Sequence, residues 1–134
     1  MNLNIKDILK IGLSRTGLRN PFNNMFKVIE FETTSYCNRK CEYCPNVDFE
    51  RFGDDESFFM KEKVFKTLID QLSQVNFNGL ISPHLYGEPM SDHRMLSWSK
   101  HIKEKLPNAR LKIVTNGDFL NKENFQEYLN VGVD

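Results

Sequence analysis

Apolar positions along the chain switch repeatedly between two spacings. KVIEFETT, Lys27 to Thr34, is rich in β-formers, with Val28, Ile29 and Phe31 set among glutamates, and predicts a first strand. Val64, Phe65, Leu68, Ile69 and Leu72 then recur at helical spacing, predicting a helix from about Met60 to Gln74. GLISPHLYGEP reads as a second strand from about Leu80 to Leu85, closed by a Gly-Glu-Pro turn. Pro83 is a blemish inside it, because proline removes a ladder donor. Ser91 can cap the next helix, whose inward side carries Met95, Trp98, Ile102 and Leu106, and Pro107-Asn108 ends it. RLKIVTNG predicts a third strand running into a turn at Asn116-Gly117. Asn121 caps a last helix with Phe125, Tyr128 and Leu129 on one face, stopped by Gly132. Ahead of all this, Leu3, Ile5, Ile8 and Leu9 predict an amphipathic helix within an N-terminal arm over residues 1–26.

Strand, helix, strand, helix, strand, helix with short connections implies right-handed βαβ units and a parallel sheet, hence an α/β domain over residues 27–134. In such folds the loops leaving the C-terminal ends of the strands hold the chemistry. Three unusual loops leave strands here: the cysteine segment TTSYCNRKCEYCPN, Gly87-Glu88-Pro89, and Thr115-Asn116-Gly117. They are expected to converge on one face.

Length and charge narrow the picture only a little. The chain has 134 residues, enough for one modest domain, and 18 basic side chains balance 18 acidic ones, giving no global pull toward nucleic acid or anionic membrane. The basic excess near the start and the acidic cluster from Asp48 to Glu56 read as solvated surface. No stretch approaches the ~20 apolar residues of a membrane span. Lys6, Asp7 and Lys10 break the opening segment, making it a poor signal-peptide core, so a cytoplasmic location is expected.

The cysteines change the picture. Cys37, Cys41 and Cys44 lie within eight positions, and the chain has no others. An odd, clustered set favours metal chemistry over a disulfide framework. Thiolates so close repel one another unless a cation neutralises them. Iron–sulfur clusters typically take four cysteine thiolates, so three leave one iron open to a small molecule. A structural zinc normally needs four protein ligands, and His84 or His93 can supply the fourth, in no familiar spacing. A disulfide or plain buried thiols are the remaining alternatives.

Cys37-Asn38-Arg39-Lys40-Cys41-Glu42-Tyr43-Cys44 resembles the C-x3-C-x-aromatic-C signature of the radical S-adenosylmethionine enzymes. Tyr86-Gly87-Glu88-Pro89 looks like that family's Gly-Gly-Glu-Pro loop with tyrosine for the first glycine, and Thr115-Asn116-Gly117 looks like the turn after its third strand. The likeness spans about Lys27 to Asp134. It implies three βα units of a (β/α)6 partial TIM-like barrel, truncated at its C-terminus, with Met1 a true start. It further implies that Cys37, Cys41 and Cys44 hold a [4Fe–4S] cluster whose fourth iron is chelated by S-adenosylmethionine. Reductive cleavage would then give a 5′-deoxyadenosyl radical that abstracts hydrogen from a substrate not named by the sequence, with an electron donor as partner. Tyr43 is expected near the adenine, and Gly87 and Glu88 at the methionine ammonium. Thr115 and Asn116 are expected at cofactor or substrate, Asn-Gly being equally a plain turn former. Tyr86 receives no role.

Glu30 and Glu32 alternate along the first strand, where a substrate contact and an exposed carboxylate are both open. His84 reads as a satisfied core residue, and His93 and His101 as surface. Two other functions stay open beside the enzyme: a non-catalytic zinc or iron–sulfur module, and a scaffold for another protein's chemistry.

Overall fold

The computed structural model describes residues 26–48 and 58–134. The predicted N-terminal helix and most of the acidic cluster lie outside the described residues. Three parallel strands, β1 (Val28–Glu30), β2 (Leu80–Ser82) and β3 (Arg110–Leu111), form one sheet in that order. Val28 pairs with Leu80 and Glu30 with Ser82, and Leu80 pairs in turn with Arg110. Between and after them run α1 (Glu62–Gln74), α2 (Met95–Lys105) and α3 (Lys122–Val131).

The helices sit close to where hydrophobic spacing puts them, and the strands are shorter. β1 makes one more rung, Phe31 N–H to Ser82 O at 3.2 Å. The chain then turns away, and Thr34 bridges antiparallel to Phe59. Pro83, with no N–H to give, follows the last residue of β2. Having lost that neighbour, β3 manages one further rung, Lys112 N–H to Ile81 O at 2.9 Å. On its outer edge Asp134 N–H donates to Leu111 O at 2.7 Å. The sheet is open among the described residues, a three-stranded parallel α/β arrangement that does not by itself establish the partial barrel.

Alternation along the strands sends Ile29, Phe31, Ile81 and Leu111 to one face, against Phe65, Ile69 and Leu72 of α1 and Trp98 and Ile102 of α2. The Trp98 and Phe65 rings stack at 4.0 Å, 6° from parallel. The guanidinium of Arg94 lies over Trp98 at 4.3 Å. Arg94 also grips the buried Asp92 carboxylate through Nε (2.9 Å) and a terminal nitrogen (2.7 Å), and donates to Met60 O at 3.0 Å. A charge-assisted pair of this kind satisfies a carboxylate that could not otherwise be buried. Ser91 does not cap α2. It lies in a separate 3₁₀ turn, Pro89–Ser91, and its hydroxyl donates to Glu88 O at 2.7 Å. α3 starts at the predicted cap, with Asn121 and Asn124 exchanging side-chain bonds, and ends at Gly132 with φ 86°. Of its predicted inward face only Tyr128 is buried, while Phe125 and Leu129 are about half exposed. His101 also departs from expectation: its ring tilts against Phe65 at 5.9 Å and its Nε2 is buried.

Candidate functional site at the strand ends

The three loops meet at the C-terminal edge of the sheet, and backbone contacts explain how. Gly87 lies against the start of the cysteine loop so closely that a Cβ there would stand 1.8 Å from Thr34 O. Only glycine permits that approach. Beside it Glu88 N–H donates to Tyr36 O at 2.7 Å. The N–H groups of Tyr86 and Gly87 both point at Glu32 Oε1, at 2.9 and 2.8 Å. Glu32, left open by the sequence between substrate contact and exposed carboxylate, thus ties β1's exit to the loop after β2. Glu30 is exposed.

Glu88 is the hub. It is only 3% exposed, and its carboxylate accepts from Met90 N–H at 2.9 Å, Thr115 Oγ1 at 2.6 Å and Asn116 N–H at 2.7 Å. Its carbonyl accepts from Ser91 N–H at 3.1 Å. Thr115 in turn accepts from Gly117 N–H at 3.0 Å, which shapes the Asn-Gly turn, where Gly117 has φ 82°. The resemblance puts Gly87 and Glu88 at a ligand's ammonium; in this structure Gly87 approaches protein backbone and Glu88's carboxylate holds the third loop.

Cys37, Cys41 and Cys44 are free, partly buried thiols. Cys44 N–H donates to Cys41 O at 2.9 Å, closing a turn that leaves Tyr43 at its tip, 90% exposed. The Tyr43 phenol is held above its ordinary pKa by a hydrogen bond with Cys41 and that thiol's charge. A polar chain crosses from this loop to the third. Arg39 Nε donates to Asp118 Oδ2 at 2.8 Å, and its terminal nitrogen donates to Oδ1. Asn38 Nδ2 donates to the same Asp118 Oδ2 at 2.8 Å. Asn116 Nδ2 faces Asn38 Oδ1 at 2.8 Å and Cys37 Sγ at 4.0 Å. Arg39 holds Asp118 below the usual carboxylate range, chiefly through their hydrogen bond.

Spacing rules reached the cysteines but missed Glu32 as a tie, and Asn38, Arg39 and Asp118 altogether. The partners of Asp118 lie 79 and 80 positions away, beyond any local pattern.

Whether these residues suit a metal group depends on its demands. Among the described residues, no three Cys, His, Asp or Glu side chains converge tightly enough to hold one ion. A cluster asks instead for several thiolates, each on its own iron, and three free thiols on one loop supply that soft donor set. Asn46, two positions past Cys44, is buried, and its amide nitrogen and oxygen meet no hydrogen-bond partner among the described residues. Buried polar groups are ordinarily satisfied, so an unpartnered amide here suits a site completed by a polar ligand. The residues fit.

The sheet uses its other face differently. Strand alternation places Glu30, Ser82 and Lys112 there, with Glu30 and Lys112 exposed. His84 joins them through a 2.8 Å bond between its Nδ1 and Ser82 Oγ. Burial lowers the His84 pKa, with Lys112 acting in the same sense and Glu30 and Glu88 opposing.

Fold and site together define an α/β domain of parallel strands with a thiol-bearing loop at the strand ends. No family model matches the chain. Over 111 residues it is 40% identical to an S-adenosyl-L-methionine-dependent 2-deoxy-scyllo-inosamine dehydrogenase of Niallia circulans, a match spanning 83% of the chain and 43% of the dehydrogenase. A tungsten-containing aldehyde ferredoxin oxidoreductase cofactor-modifying protein of Pyrococcus furiosus is 30% identical over 114 residues, 81% of the chain and 29% of that protein. Among solved structures, BtrN in an open conformation superposes with a TM-score of 0.74 at 38% identity, over 83% of the chain and 48% of BtrN. BtrN in complex with AdoMet and 2-DOIA gives 0.73 at 38% identity, over 83% and 44%.

The chain therefore spans less than half the length of these relatives. Assignment to the radical S-adenosylmethionine family at large is corrected by these findings. No family model supports it, and the likeness is narrower, to individual proteins with the α/β fold of BtrN and to an S-adenosyl-L-methionine-dependent dehydrogenase. Those homologues are enzymes. No helix of the described residues is long and apolar enough to cross a membrane.

Proposed function

We propose that the intact protein is an S-adenosylmethionine-dependent enzyme of the dehydrogenase kind. Cys37, Cys41 and Cys44 would hold a [4Fe–4S] cluster, with S-adenosylmethionine bound beside it at the iron they leave open. The observation that carries this is the joining of three free thiols to the Gly-Glu-Pro and Thr-Asn-Gly loops in one rim, in a fold like that of a protein solved with AdoMet. When bound, cluster and S-adenosylmethionine supply one-electron cleavage of a carbon–sulfur bond and hydrogen abstraction from substrate. Residues 27–134 supply three βα units of the kind that build a (β/α)6 partial barrel, and an electron donor is required.

The chain's own residues bind, orient and exclude water. Tyr43 offers an exposed ring and backbone beside the cysteines for the adenine. Glu88 keeps Thr115 and Asn116 in place, so their remaining polar atoms face the cofactor from a rigid turn. The backbone around Gly87 approaches closely enough to bound the methionine end. Glu30, His84 and Lys112 meet the substrate on the other sheet face. The dehydrogenase relative acts on 2-deoxy-scyllo-inosamine, so a hydroxylated cyclic amine is the substrate to try first. Glu30 suits its ammonium, and His84, kept neutral by burial, suits a hydroxyl proton.

Anaerobic iron–sulfur reconstitution of the intact protein tests this. About four irons and four sulfides per chain, lost in Cys41→Ala, are expected for a cubane. Colourless protein carrying one zinc overturns it in favour of the non-catalytic module.

A further inference from the structure

The Arg39–Asp118 pair poses a puzzle, because exposed ion pairs contribute little to stability and this one is elaborately supported. Asp118 takes two hydrogen bonds from Arg39 and one from Asn38. Its own N–H donates to Asn116 Oδ1 at 3.0 Å. That bond fixes which way the Asn116 amide points, with Oδ1 toward Asp118 and the Nδ2 donor toward Asn38 and Cys37. Both gripped residues, Asn38 and Arg39, lie between Cys37 and Cys41. The carboxylate thus fastens the segment that spaces two thiols, while the backbone N–H of the same residue aims the Asn116 donor at one of them.

A donor directed at a cysteine sulfur favours whichever cluster state carries more negative charge. That is the reduced state, and hydrogen bonds to the sulfurs are among the factors that set cluster potentials.

Building on the cluster site proposed above, we propose that Asp118 is a positioning residue. It clamps the cysteine loop to the turn after β3 and, by orienting the Asn116 amide, makes the cluster easier to reduce. The partner chemistry is a low-potential one-electron donor, whose driving force the clamp sets.

The test is a spectroscopically monitored redox titration of the reconstituted, intact protein without S-adenosylmethionine, comparing wild type with Asn116→Leu, Asp118→Asn and Asp118→Glu. Asn116→Leu deletes the donor but keeps the backbone bond to Glu88, and is expected to move the midpoint potential negative with iron content unchanged. Asp118→Asn is expected to lower iron content, and Asp118→Glu to restore part of it. Adding Arg39→Ala to Asp118→Asn should lower iron content no further, because the two act as one unit in the clamp. An unchanged potential in Asn116→Leu together with unchanged iron content in Asp118→Asn, with wild type fully loaded, overturns the proposal and leaves the cluster site standing. Wild type that takes no cluster overturns the cluster site and the clamp together.

Discussion

The two sides of this small domain are held by opposite means. Behind the sheet, Phe65, Ile69, Ile81, Trp98, Ile102 and Leu111 are buried in an apolar core coded by local spacing. At the strand ends three loops are joined almost entirely by polar bonds, with Glu32, Glu88 and Asp118 each accepting several donors. Apolar burial is non-directional and scales with area. Hydrogen bonds to carboxylates are directional and fix position. One side supplies stability and the other supplies geometry, so damage to each should read out differently.

Trp98→Ala should break the first side outright. It removes a ring stacked on Phe65 and covered by Arg94, and such truncations cost about 3–5 kcal/mol. Urea unfolding of the protein measures it, and a loss under about 1 kcal/mol would mean that the site collapses around the gap.

Gly87→Ala should blur the contrast, because it is a rim substitution with a core-sized effect. Its methyl would meet Thr34 backbone, which cannot rotate aside as a side chain can. Overpacking typically costs about 1–3 kcal/mol, occasionally more. Relief requires shifting the cysteine loop, so iron content should fall along with stability.

Glu88→Gln should sharpen it. The new amide turns donor hydrogens toward Thr115 Oγ1 or Asn116 N–H, leaving a buried donor unsatisfied at a cost of about 1–3 kcal/mol. Amide exchange should quicken at residues 115–117 while α1 and α2 keep their protection. Equal quickening everywhere would show that rim and core are one unit.

The smallest effect is at alkaline pH. Burial, aided by Asp92 and Glu127, pushes the Tyr128 pKa up to about 12 from 10.0. The folded form therefore resists ionisation, and α3's contribution is complete below pH 10 and lost as pH rises through 12. Tyr128→Phe should remove that decline, seen in unfolding curves taken across the window.

How legible all this was follows the same division. Hydrophobic spacing placed α1 within two residues of its observed start, and all four residues assigned to the inner side of α2's segment are buried. Packing against one's own turn is a local matter, and sequence records it. Strand length is not local. RLKIVT reads as strand up to the Asn116-Gly117 turn, yet β3 has only two residues because β2 stops before Pro83. Ser91 looked like a cap, but Glu88 draws its hydroxyl into a different turn. In the site, the cysteines stood out because clustered thiols are chemically costly without a cation. Glu32 and Asp118 did not, because an acidic residue in a loop reads as solvated until its distant donors are known.

The central claim is that the rim joined by Glu88 presents three thiolates and a ligand-ready edge as a single site. Electron paramagnetic resonance of the reduced, reconstituted intact protein, recorded with and without S-adenosylmethionine, tests it most directly. A cluster signal that changes when S-adenosylmethionine is added is the predicted result. A full-strength signal that ignores it would contradict the account.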